Sequence, residues 1–349
     1  MTPTLDPSPA SRGGKRAKRA GWGLALALAA LLAAAPAPAA EIRLARQFSM
    51  GYLQLNVMEQ HKLIEKHAGA LGVADVKVSW VTFNGPAAMN EALLSGTIDI
   101  ATGGTPGLLI LWDRTKGTAQ EVRGICALSS QPFLLNTREP RITSLKDVKD
   151  SDRIAVPAVK VSIQAIMLQM AAAKTFGPSN FAKFDPLTVS LPPPDATLAL
   201  LSGAGEINMV FSVPPFQHQQ LQKAGVTTVL NSYDVMDGPH TFTVAWTSAR
   251  FREKNPELYK ALLTALAEAT ELVNKDKRAA AAQWIADSQS KLALDFVDRI
   301  VSGAQVRWTL VPENTMKFAR FMQTTGMLKV APESWRDFFF PEIHTHDGS

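Results

Sequence analysis

The chain has 349 residues, 46% hydrophobic and 19% charged, which fits one large or two medium globular domains and excludes a disordered or fibrous chain. The net charge is +5, but Arg12, Lys15, Arg16, Lys18 and Arg19 against Asp6 place +4 of it within residues 1–40. The rest is close to neutral, so no electrostatic footprint for nucleic acid is left.

Residues 1–40 have the order of a secretory signal peptide: a basic segment to Arg19, an apolar run from Trp22 to Ala35, then Ala37-Pro-Ala-Ala40. That run falls short of the ~20 residues needed to span a bilayer. Cleavage is expected after Ala40, with a periplasmic destination. No cysteine follows the leader to carry a lipid. The single cysteine, Cys126, lies in the apolar run Gly124–Leu128 and reads as a buried structural thiol. It has no intramolecular disulfide partner, so the exported chain must be held by its core.

In chain order, Ile42–Ala45 reads as a strand, Gln47–Gly51 as a loop and Tyr52–His67 as one helix. Val76–Phe83 alternates as a strand, Asn84-Gly-Pro86 turns it, and Ala87–Leu94 is a helix closed by Gly96. Ile98–Ala101 is a buried strand, and Gly103-Gly-Thr-Pro106 opens the helix Gly107–Arg114. Val122–Ser129 is a strand, after which Gln131-Pro132 marks a crossing into Phe133–Asn136. Ser144–Asp147 is a short capped helix.

Arg153–Val156 starts a second lobe, followed by the loop Ala158–Ser162 and the helix Ile163–Thr175. Leu187–Leu191 is a strand, and Asp195, as N-cap, starts a helix to Leu201. Thr227–Leu230 is a strand, and the chain recrosses over Pro239–Val244. Helices cover Pro256–Asn274, Lys277–Asp287, Leu294–Ser302 and Asn314–Thr325. Strand, loop and helix in alternation predict α/β lobes, each a mostly parallel sheet flanked by helices. The domains are residues 41–132 with 240–349, and an inserted 133–239.

One phrase organises this pattern. Ala92-Leu-Leu-Ser-Gly-Thr-Ile-Asp99 leads to Pro106, and Ala199-Leu-Leu-Ser-Gly203 leads through Asn208 to Pro215. Two similar halves, each presenting a loop after its strand, make a clamp for a small ligand. In open α/β sheets ligands sit at the carboxyl ends of the strands, where helix N-termini favour anions. The candidate positions are Gln47–Gly51, Asn84-Gly85-Pro86, Gly103–Thr105, Lys160–Ser162, Pro194-Asp195 and Phe211–Pro214. Gly103 and Gly104 are read as places where ligand approaches the backbone.

Other residues carry weaker signals. Lys160 reads as a solvated loop lysine before a charge partner. His61 and His67 read as surface residues. His344 and His346 lie in a polar tail and read as a frayed terminus, with no metal site expected. Trp335 and Phe338–Phe340 read as packing, with a permease contact as the rival reading. No cofactor motif, nucleophile elbow, zinc helix or phosphate loop is present.

The chain resembles the periplasmic substrate-binding proteins of nitrate, sulfonate and taurine ABC importers. The resemblance rests on Arg46-Gln47, Val78-Ser-Trp-Val81, Gly85-Pro86, Glu91-Ala-Leu93, Ser95-Gly-Thr-Ile-Asp99, Thr102-Gly103, Ser144-Leu-Lys-Asp147, Ser162, Pro194-Asp-Ala196 and Phe251-Arg-Glu-Lys-Asn255. It implies a two-lobed periplasmic-binding-protein clamp of type II-like form. Such a clamp is a monomer and not an enzyme, and it delivers ligand to a membrane permease and ATPase.

The implied ligand residues are Gln47, Asn84, Gly85, Thr102, Gly103, Gly104, Ser162, Asp195, Phe211, Ser212, Pro214, His240 and Thr241. Two carboxylates common in the family are missing, at Gly104 and within Ser212-Val-Pro214. An ammonium group would lack its partner, so an alkanesulfonate or small organic acid is expected before taurine. The alternatives are a binding protein for a pyrimidine, thiamine precursor or aromatic acid, or an enzyme on the same fold.

Overall fold

A computed structural model describes residues 40–203 and 205–349. The signal-peptide reading of the leader lies outside the described residues. Strand β1 (Glu41–Gln47) is followed by helices α1 (Leu53–Gln60) and α2 (Leu63–Ala70), β2 (Lys77–Phe83) and α3 (Pro86–Leu94). Next come β3 (Ala101–Gly104), α4 (Thr105–Thr115), β4 (Val122–Ser130), β5 (Leu134–Thr137) and β6 (Ile154–Val156). The middle continues with α5 (Ile163–Phe176), β7 (Thr188–Ser190), α6 (Pro193–Ser202), β8 (Met209–Phe211) and α7 (Phe216–Gln220). Then β9 (Thr227–Asn231), α8 (Ser232–Val235), β10 (Thr241–Ser248) and α9 (Ala249–Lys254) lead to α10 (Pro256–Lys275). Helices α11 (Lys277–Ser288) and α12 (Leu294–Val301), β11 (Arg307–Trp308) and α13 (Thr315–Thr324) complete the chain.

Strands β5 to β9 form one five-stranded sheet in the order β7-β6-β8-β5-β9. A four-stranded sheet has the order β11-β4-β10-β3, and β1 pairs with β2. Leu44 of β1 bridges in parallel to Ile100, just before β3. The fold is thus two-lobed α/β with helices on the sheets, but the sheets are not mostly parallel: the five-stranded sheet is mixed and the four-stranded one is antiparallel throughout. The pairs β1–β2, β6–β7 and β6–β8 are parallel, as strand-helix alternation demands. Strands β5 and β10 enter directly from a crossing, with no return helix, and pair antiparallel to their neighbours.

The two crossings are tied to each other. Ser129 Oγ and Thr243 Oγ1 share a hydrogen bond of 2.7 Å, Ser130 Oγ donates to the His240 carbonyl at 2.7 Å, and Gln131 Nε2 donates to Ser129 Oγ at 3.1 Å.

Three local expectations change. The single helix Tyr52–His67 is two helices, broken at Lys62 with φ 48°. The break turns Ala68 onto Leu258 and Ala261 of α10. Strand β3 spans Ala101–Gly104 instead of Ile98–Ala101, because β10 pairs Trp246 with Ala101, Ala245 with Thr102 and Thr243 with Gly104. The C-terminus is packed rather than frayed. Ser349 O accepts from Thr315 N at 2.7 Å, and His344 lies edge-on to Trp335. Trp335 and Phe338–Phe340 are buried, and Phe340 N bonds to Gly124 O of β4 at 2.8 Å. Cys126 is buried, and burial pushes its thiol pKa up.

Helix α10 buries Leu258, Ala261, Leu262, Ala265, Leu266 and Ala269, a stripe at three- and four-residue spacing. Each buried leucine there stabilises the fold by about 1.5–3 kcal/mol.

Candidate ligand-binding cleft

Four helix N-termini meet at one cavity. Pro86 opens α3, Gly104 and Gly107 belong to the start of α4, Ser162, Ile163 and Gln164 to α5, and Pro193 to α6; all line it. Each helix start carries about half a positive charge. Prolines in the first turns of α3, α4 and α6 remove amide donors there. Helix α5 keeps its donors. Ser162 caps it by accepting from Ala165 N at 3.3 Å, leaving the Ile163 and Gln164 amides without helical acceptors.

The remaining wall comes from Gln47, Phe48, Ser49 and Tyr52 after β1, from Asn84 after β2, and from Pro157, Val161, Val213 and Phe242. Among the described residues lining the cavity, none is Asp, Glu, Lys, Arg or His. Its polar side chains are neutral. Tyr52 is 3% exposed and Gln164 4%, and neither side chain finds a hydrogen-bond partner among the described residues. Burial raises the Tyr52 pKa, so its phenol stays protonated.

The cavity is small, about 30 Å³. At roughly 10–15 Å³ per water that is space for about two waters in this conformation. What brings the lobes together is visible at two glycines. A Cβ on Gly104 would stand 2.6 Å from Ile163 Cβ, and one on Gly85 would stand 3.1 Å from the Pro157 carbonyl. Ser49 Oγ and Met50 N add hydrogen bonds of 3.0 and 2.9 Å to the carbonyl of Pro214.

Of the residues singled out in the sequence, Gln47, Asn84, Gly104 and Ser162 share this cavity. Gly85 lies at its edge against Pro157. The others are placed elsewhere. Thr102 is fully buried, with Oγ1 donating to the Ala45 carbonyl at 2.7 Å; a bulky residue there would disturb the sheet before it reached ligand. The space beside Gly103 is filled by Gln47 and Trp246, at 2.7 and 2.9 Å from an added Cβ. The glycines thus admit the protein's own groups, where ligand was expected.

Asp195 is exposed in the first turn of α6, whose N-cap is Pro192. Phe211 is buried against Phe133, ring centroids 5.3 Å apart. Ser212 is 1% exposed, its amide bonded to Leu134 O at 2.9 Å and its Oγ without a partner. Pro214 acts through its carbonyl, as above, and its neighbour Val213 faces the cavity. Lys160 is exposed and does not line the cavity.

His240 and Thr241 lie in the core of the recrossing. His240 is fully buried among Phe133, Tyr233 and Phe318. Its Nδ1 is 3.0 Å from the Thr241 carbonyl and its Nε2 is 2.9 Å from Ser232 Oγ. The carbonyl requires a proton on Nδ1, so Nε2 accepts from the serine. Burial lowers the pKa to about 4. Thr241 bonds to the Glu313 main chain.

Sequence reasoning missed Tyr52 and Gln164 as cavity groups. Tyr52 was absorbed into a helix pattern, although its place just after the end of a parallel strand was a usable signal.

A cavity walled by helix N-termini, between two α/β lobes, is the architecture of the periplasmic-binding-protein fold. The particular family follows from the sequence match: a model of the NMT1-like family covers residues 43–286, and the chain belongs to that family. No curated protein matches the sequence.

Solved structures similar to the chain include the alkanesulfonate-binding protein SsuA from Xanthomonas axonopodis pv. citri bound to MOPS. It is 19% identical over 85% of this chain and 96% of that one, with TM-score 0.65. The periplasmic aliphatic sulphonate binding protein SsuA from Escherichia coli is 17% identical over 88% and 99%, TM-score 0.63. The periplasmic nitrate-binding protein NrtA from Synechocystis PCC 6803 is 14% identical over 88% and 89%, TM-score 0.68. The resemblance read from the sequence therefore holds at the level of family and fold.

Proposed function

We propose that this chain is the periplasmic solute-binding component of an ABC importer, capturing a small organic anion between lobes 41–132 with 240–349 and 133–239 and handing it to a membrane permease. The observation that carries the reading is the convergence of four helix N-termini on a cavity whose lining side chains are all uncharged. A buried anion needs its charge met by donors and dipoles. The α5 main-chain amides, the Tyr52 phenol and the Asn84 and Gln164 side chains supply them. A buried ammonium group would find no carboxylate in that lining.

The ligand is therefore an alkanesulfonate or carboxylate without a cationic end. The three similar structures named above are sulfonate- and nitrate-binding proteins, which supports a binding role over an enzymatic one. Calorimetry with ethanesulfonate and taurine tests this: ethanesulfonate binds and taurine binds at least ~30-fold more weakly, about 2 kcal/mol. Equal or tighter binding of taurine would overturn the ligand class.

A further inference from the structure

The turn Ser49–Tyr52 is held from three sides. Ser49 Oγ accepts from Gly51 N at 2.9 Å and donates to the Pro214 carbonyl at 3.0 Å. Met50 N donates to the same carbonyl at 2.9 Å. Gly51 O accepts from Thr243 Oγ1 at 2.8 Å and lies 3.3 Å from Ser129 Oγ, so it meets one hydroxyl from each crossing. Gly51 leaves no room for a side chain, since a Cβ there would stand 2.5 Å from Phe242 Cε1. The turn is therefore fixed to residues 41–132 and to the crossings, whereas Pro214 belongs to the inserted segment. Phe48, just before the turn, and Tyr52, its last residue, both line the cavity.

A serine hydroxyl has one proton to give. At Ser49 the Gly51 amide takes a lone pair and the proton goes to Pro214. The first bond lies within one lobe and survives when the lobes part. The second crosses between lobes, and parting hands both of its groups to water. An interaction shifts a two-state balance to the extent that it differs between the states. We propose that Ser49 is a positioning residue for closure: its hydroxyl locks the Tyr52-bearing turn against the far lobe, and it acts through that bond instead of through contact with the ligand. The proposal rests on the clamp reading above and is independent of the ligand's charge.

Spin labels at Val81→Cys and Leu198→Cys, exposed positions of the two lobes, measure lobe separation in the ligand-free chain, and the buried Cys126 stays unlabelled. Ser49→Ala should raise the ratio of wide to narrow separations about two- to tenfold, the net worth of one hydrogen bond. In stopped-flow binding, ethanesulfonate should leave the variant faster by about the same factor, with association changed less than about twofold. Ser49→Thr keeps the hydroxyl and should restore both. Thermal melts confirm folding, and Ser49→Gly, a residue tolerated at caps, takes the place of Ser49→Ala if that variant does not fold. Weaker binding with unmoved ligand-free separations would make Ser49 a ligand contact and overturn the inference. A threonine no better than alanine would overturn it as well. If the native chain does not bind ethanesulfonate, the anion reading fails, while the separations still decide the role of Ser49.

Discussion

The stretches Ala92–Pro106 and Ala199–Pro215 share a scaffold and differ in what they show to the cavity. Gly96 and Gly203 both take left-handed conformations after their helices, φ +75° and +70°. Asp99 accepts from the Arg43 amide at 2.9 Å, and Asn208 accepts from the Arg153 amide at 3.0 Å. The amides of Asp99 and Ile100 both reach Arg43 O, and those of Asn208 and Met209 both reach Arg153 O. The resemblance of the two stretches is therefore a shared way of pinning one strand start to the next. Beyond it the halves diverge: Gly104 and Val213 hold equivalent places, both line the cavity, and only the glycine admits Ile163 of the other lobe. Backbone pinning is common to the halves, whereas the cavity chemistry is set position by position.

The polar pins differ in charge, and exchanging them should be unequal. Asn208 Nδ2 donates to Asp152 Oδ1 at 2.7 Å. Asn208→Asp would set two carboxylates together in a buried place, costing about 3–4 kcal/mol of stability in urea denaturation.

The seam between the halves supplies a pH test. His240 has its pKa lowered to about 4, from an ordinary value of 6.5. A depressed histidine stabilises the fold fully above the higher value, and that contribution is lost as pH falls toward 4. The loss is on the order of 3 kcal/mol. Denaturation midpoints at pH 7 and 4.5 measure it. His218, also lowered to about 4 by burial, adds a similar slope, so His240→Gln should shrink the difference without abolishing it.

Gly104→Val makes the two halves alike at the cavity and props the lobes apart on Ile163. Binding should weaken about 10- to 100-fold, the range of an overpacked contact, with little change in the melting temperature. Tyr52→Phe removes one neutral donor and should weaken anion binding about tenfold in calorimetry. Smallest is Asp99→Asn, which keeps an acceptor for the Arg43 amide and loses a partly exposed ion pair, about 0.5–1 kcal/mol. Equal costs for Asn208→Asp and Asp99→Asn would show that the two pins do not differ in environment as described.

Much of the local structure was readable. The capped turn at Ser144, the closing glycine Gly96 and the helix that became α10 are local signals. Cavity-lining positions were readable where a strand end or helix start fixed them, as at Gln47, Asn84 and Ser162. They failed where a distant partner intervened. Thr102 looked like a loop residue until β10, more than 140 positions later, paired with it. Asp195 looked like a cap, but Pro192 is extended and starts the helix.

The sequence by itself determined the alternation of elements, the doubled strand-loop phrase and the missing carboxylates at Gly104 and in Ser212-Val-Pro214. All of these depend on short-range sterics, capping and composition. Only the tertiary structure decided which residues face the cavity, that Tyr52 and Gln164 join it, and that His240 belongs to the core. Those outcomes depend on strand register and on contacts between lobes, where side chains far apart in the chain compete for the same space.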